Sequence, residues 1–243
     1  MSNIRTVSDT KRAFYSAHTR PISSIYRRVV EELMVEMHLL SVNVEFRYDP
    51  IYALGIVTAF DRFMQGYRPE EDLKSIFSAL CSAVEGPSAD QYRSDAEKLK
   101  GQLSQMSMDN LRAVLDGVGS ASQPGLQSHL GAIAQASQFK YSRLFAIGVL
   151  TILELIDETL LTDETKLNEW LGRFSELLKL PGEKVEKDIE IYRGNLEKLR
   201  QAQEVLADVL KADRKKQMER EAGLKEGQEE DNPSGEAEKP END

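Results

Sequence analysis

The chain has 243 residues, of which 40% are hydrophobic and only 7% aromatic, and it carries a formal net charge of -10. That is enough apolar material to bury a sizeable core, supplied mostly by Leu, Ile, Val, Ala and Met, which favours an all-helical protein. Residues 223 to 243 hold eight acids against Lys225 and Lys239. The body is therefore nearly charge-balanced, and neither part supplies the basic footprint of generic nucleic-acid binding.

The start of the chain is polar and lacks the apolar stretch of a secretory signal. Ser8, Lys11 and Phe14 open a short amphipathic helix ending near Thr19, with Ser8 in a capping or turn role. Pro21 suits the first turn of a second helix, whose apolar face runs from Ile22 through Tyr26, Val30 and Met37 to Leu40. Val42, Val44, Phe46 and Tyr48 alternate with polar residues. A lone strand has no partner, so this reads as an extended connector packing its apolar side on the helices. Asp49 and Pro50 cap and start a third helix that stops near Gly66, and Pro69 sits in the first turn of a fourth that ends at Gly86 and Pro87.

Ser88 with Gln91 reads as a capping box before a helix carrying Tyr92, Leu99 and Leu103, and Ser107 opens another. Gly117 to Gly125 is the clearest loop. The segment from Leu126 is Ala-rich and then strongly apolar to Leu161, which suits the centre of a bundle. Its most apolar run, Leu144 to Leu153, makes about 15 Å of helix, half the roughly 30 Å of a hydrocarbon core, and reads as a buried helix. Thr162 and Asp163 start a further helix that Leu180, Pro181 and Gly182 end.

A long helix then runs from Glu183 to Ala222. Ile189, Tyr192, Leu196, Leu199, Leu206 and Leu210 occupy heptad core positions, with Gln203 the polar interruption, between charged sites such as Glu190, Arg193 and Glu197. This seam either docks another surface, including a second copy, or folds back on the body, and its length favours partial projection. The expected architecture is a multi-helix bundle over 1–180, a partly protruding coiled-coil-like helix over 183–222 and a disordered acidic tail over 223–243.

Chemistry has little support. His18, His38 and His129 lack metal-ligand spacing, and Glu154, Asp157 and Glu158 share a helix face without the Glu-x-x-His pairs of a di-metal site. The Ser-x-x-Lys pattern occurs at Ser8 to Lys11 and again at Ser137 to Lys140, without its companion motifs. Cys81 lies on an apolar helical face and reads as core. No cofactor, metal or catalytic residue is assigned, and an enzyme survives only as a metal-dependent hydrolase whose residues converge in the fold. Lys11, Arg12, Arg20, Arg27 and Arg28 make the N-terminal segment basic, which suits an acidic partner or an anionic bilayer through salt-sensitive contacts.

Five strings carry a resemblance: Arg5-Thr6-Val7-Ser8-Asp9-Thr10-Lys11-Arg12, His18-Thr19-Arg20-Pro21-Ile22, Tyr26 through Leu40, Asp49-Pro50-Ile51-Tyr52-Ala53-Leu54-Gly55, and Phe60 to Tyr67. Together they resemble the thylakoid formation, or photosystem II biogenesis, family of cyanobacteria and plastids, most closely over residues 3 to 85. The resemblance implies a non-enzymatic accessory factor in photosystem II assembly and repair. It would be peripheral on the cytoplasmic side of a cyanobacterial thylakoid and would support the FtsH protease. It transfers no catalytic residue, only a partner-facing role for Arg5 to Arg12 and Arg20 to Arg28.

Overall fold

A computed structural model describes residues 5–119 and 125–229, without the side chains of Leu210 and 219–229. Among the described residues there is no strand. The order is α1 (Val7–Ala17), α2 (Ser24–Ser41), α3 (Pro50–Phe63), α4 (Asp72–Ala83), α5 (Ala89–Leu103), α6 (Met108–Asp116), α7 (Leu126–Gln135), α8 (Arg143–Ile156), a 3-10 turn (Glu158–Thr162), α9 (Glu164–Leu178) and α10 (Gly182–Glu229).

The core is organised around α3 and α8. Ile51 to Phe60 and Leu144 to Leu153 are each buried at every position, as expected of helices that are apolar all round. Two glycines set their separation. A Cβ at Gly55 would stand 1.7 Å from the Leu144 carbonyl oxygen, and one at Gly148 would stand 2.0 Å from that of Ile51. The two backbones thus touch where neither has a side chain. The Ala-rich start of the segment expected at the centre of the bundle is α7, whereas the close crossing is made by α3 and α8.

Helix starts follow local hydrogen bonding. Asp49 accepts from the N–H groups of Ile51 and Tyr52, both at 2.9 Å, with Pro50 in the first turn. Ser107 and Asn110 form a reciprocal capping box, and Asp163 caps α9. Other signals resolve differently. Thr6, paired reciprocally with Asp9, caps α1, and Ser8 lies inside the helix. Ser88 accepts from the Gln91 N–H, but the Gln91 side chain turns to Asp95, so the box is only half made. Pro21 and Pro69 precede their helices rather than entering them, because the chain first turns at each site.

The connector after α2 also divides. Phe46 stacks edge-on against Tyr52, with centroids 4.9 Å apart, and Tyr48 donates to Asp95 at 2.8 Å. Val42 and Val44 are exposed instead. An Asn43 turn breaks the alternation, with the Glu45 N–H donating to Asn43 Oδ1, so a period of two no longer keeps all four side chains on one face. The loop from Gly117 to Gly125 falls partly outside the described residues.

The chain divides into two compact units, residues 1–199 and 200–243. The boundary expected at 180 to 183 therefore moves to Leu199, because the first turns of α10 are part of the body's core. Residues 223–229 continue α10. Leu224, Lys225, Glu226 and Gln228 all have good helix propensity even without an apolar stripe. The rest of the acidic tail, 230–243, lies outside the described residues.

Candidate interaction surface

Along α10, burial changes sharply with position. Val185, Ile189 and Tyr192 are each about 2% exposed. Tyr192 meets Phe63 of α3 edge to face at 5.5 Å and lies beside the Arg62–Glu154 ion pair that joins α3 to α8. Burial pushes its phenol up to about 12. Two polar contacts fasten the same stretch: Tyr141 donates to Asp188 at 2.8 Å, and Arg193 donates to the Leu161 carbonyl at 2.7 Å. Ile189 and Tyr192, expected in a partner-facing seam, are therefore anchors of the body. An apolar stripe next to an unfilled core is buried by the nearest surface, which is the chain's own. Leu196 is partly buried against that core and Leu199 is half-buried.

In the second unit the pattern inverts. Val205, Leu206 and Val209 are 65%, 43% and 52% exposed, Gln203 is half-buried, and the Leu210 side chain lies outside the described residues. Val205 and Val209 were not expected as surface features, because they fall off the heptad register of residues 203, 206 and 210. The signal was present as apolar side chains at i, i+1 and i+4, a spacing that also shares one helix face.

The basic N-terminal residues are engaged within the protein. Lys11 donates to Glu31 at 2.8 Å, and Tyr15 donates to the same carboxylate, tying α1 to α2. Both bonds hold Glu31 below the usual carboxylate range. Arg20 reaches the buried carboxylate of Asp72 in α4, Arg28 pairs with Glu32, and Arg12 lies 3.5 Å from Asp9. Arg27 lines a shallow groove with Lys11, Arg28, Glu31 and Glu32. The structure brings Lys11, Arg27 and Arg28 together but interleaves them with acids, which leaves no continuous basic face there.

The candidates for chemistry are dispersed. His38 is buried with its Nδ1 2.9 Å from Thr10 Oγ1, and His18 is buried with its Nδ1 3.0 Å from Ser75 Oγ. His129 sits on α7, where burial lowers its pKa. Among the described residues no three of His, Cys, Asp and Glu gather as a metal would require. Cys81 is buried, and desolvation pushes its thiol up to about 12, which makes it inert. Glu154 is taken by Arg62, and Asp157 caps the 3-10 turn. Ser8 is exposed on α1, and Lys11 is half-buried and held by Glu31.

Comparison with known proteins decides what such a surface belongs to. The family model described as thylakoid formation protein matches residues 6–221. The chain belongs to the thylakoid formation protein family. Protein Thf1 of Trichormus variabilis is 56% identical over 221 residues, covering 90% of this chain and 94% of the relative. Protein Thf1 of Acaryochloris marina is 51% identical over 243 residues, covering 99% and 96%. A solved structure of Psb29 superposes with a TM-score of 0.77 at 45% identity, covering 88% of this chain and 99% of that one. This is a thylakoid-associated family of cyanobacteria, involved in thylakoid formation and photosystem II biogenesis. The family match takes in α10 as well as the motif-bearing first helices. Among the described residues no helix is long and apolar enough to cross a membrane.

Proposed function

We propose that this protein is a non-enzymatic accessory factor in photosystem II biogenesis and repair, acting peripherally at the cytoplasmic face of the thylakoid. It supports the thylakoid FtsH protease through contacts made by the second half of α10. The carrying observation is the exposed stripe of Val205, Leu206 and Val209 on a helix whose preceding turns are fixed in the body core. A stripe already carried on a formed helix lowers the ordering cost of presenting an apolar surface to a partner. FtsH itself enters through the family resemblance. A contact with anionic lipid through Lys11, Arg12, Arg20, Arg27 and Arg28 is the weaker reading, because four of these five cations already have carboxylate partners.

The test is co-purification of FtsH from solubilised thylakoids with tagged full-length chain, comparing wild type with L206D/V209D. Loss of FtsH with an unchanged thermal midpoint supports the proposal. Retention of FtsH at the wild-type level contradicts it.

A further inference from the structure

One groove on the body has a chemistry that the second half of α10 matches. It lies between the end of α6 and α9, where Leu115, Gly172 and Leu177 form part of its lining, and has a volume of about 720 Å³. Gly172 is in mid-helix, and a Cβ there would meet nothing within 4 Å. The groove is therefore open where a neighbouring helix needs room to approach. Its rim is acidic: Asp116 and Glu176 are exposed and form no ion pair with a described residue, while Glu169 is paired with Arg173 at 3.3 Å.

The second unit has the complementary order of properties. Val205, Leu206 and Val209 are exposed, and the segment from Val205 to Lys216 carries Lys211, Arg214, Lys215 and Lys216 against Asp208 and Asp213. Lys211 lies 3.8 Å from Asp208, so the segment is net basic and its last turn holds the excess. From Val205 to Lys216 such a helix extends about 16 Å, and from Asn168 to Leu177 the α9 wall of the groove extends about 13 Å, at 1.5 Å per residue. The lengths, the apolar part and the charges all correspond.

We infer that the groove between α6 and α9 receives the 205–216 segment of a second copy of this chain. The apolar stripe lies over Leu115, Gly172 and Leu177, and the basic turns face Asp116 and Glu176. The contact joins two different patches, so it is heterologous and each copy can both give an arm and take one. It uses the stripe assigned above to FtsH, so self-association covers that stripe until a partner displaces the second copy. Its test uses the purified chain alone, and a failure of FtsH binding leaves that test unaffected.

The experiment is sedimentation of full-length protein over a concentration series. Wild type is expected to rise above the 27.4 kDa monomer with concentration and to fall back at high salt, where exposed charges are screened. G172L adds a side chain to the groove from a position where a Cβ meets nothing within 4 Å and raises helix propensity, and V205D/L206D spoils the arm. Each alone is expected to remain monomeric. An equimolar mixture keeps one intact arm and one intact groove, so it associates and stops at twice the monomer mass. A wild type that stays monomeric throughout overturns the inference. So does association of G172L equal to wild type, which would mean that arms pair with arms. A mixture that stays monomeric when wild type associates overturns it as well.

Discussion

The two halves of α10 carry apolar residues at comparable density and differ in what covers them. From Val185 to Tyr192 every apolar seam position is buried against α3 and its neighbours, and Arg193 and Asp188 add polar fastenings. From Val205 to Val209 the apolar residues face solvent. The difference teaches that a continuous heptad pattern specifies a stripe and leaves open which surface covers it. The first half completes a fold, and the second half leaves its apolar residues exposed, the surface proposed above for a partner.

The largest effect that should break this comparison lies beneath it, at the crossing of α3 and α8. G148L places side-chain atoms where the Ile51 carbonyl stands, and it should cost about 3 kcal/mol or more through forced separation of two packed backbones. Soluble yield and urea unfolding would report it. A near-neutral G148L would mean that the crossing can widen, and the body would then be a poor anchor for α10.

Next in size are truncations along α10 itself. Y192A should destabilise by about 3 kcal/mol, because it empties a filled site beside Phe63 and the Arg62–Glu154 pair. L206A should change stability by less than about 0.5 kcal/mol, as for surface positions generally. Equal urea midpoints for the two variants would erase the distinction between the halves.

A smaller effect concerns pH. Burial raises the Asp49 carboxyl to about 6, against two backbone N–H bonds that act to lower it. Between about pH 4 and 6 the folded state holds a proton that the unfolded state has released, so this group makes stability fall as pH rises through that window. Asn caps as well as Asp without titrating. The stability difference, wild type minus D49N, should therefore decline from pH 4 to pH 6. A difference that stays flat or rises would show that the N–H bonds outweigh burial. The smallest expected effect is that of L206D/V209D on folding, within about 0.5 kcal/mol by urea unfolding.

Much of the fold was legible because its signals are local. Asp49–Pro50, Ser107 and Asp163 sit at helix starts whose N–H groups need acceptors, and the runs 51–60 and 144–153 are too apolar to face water. What stayed hidden depends on contacts distant in sequence. Nothing near Gly55 announces that Leu144 lies against it. Pro21 and Pro69 fit a helix N-terminus equally well whether they enter the first turn or precede it. The interaction surface was half legible for the same reason. Helical spacing identifies Leu206 as apolar on a charged helix, yet it cannot distinguish Leu206 from Ile189, since only the position of α3 and α8 does that. Val205 and Val209 lie outside the heptad register, so a period of seven does not mark them.

The most direct measurement of the central claim is an aspartate scan of α10 at residues 189, 192, 196, 206 and 209, with urea midpoint and FtsH capture read on each variant in parallel. The predicted result is a crossover: substitutions at 189 and 192 collapse the midpoint, while those at 206 and 209 abolish capture and leave the midpoint in place. If capture were lost only where stability is lost, the second half of α10 would have no partner-binding role of its own.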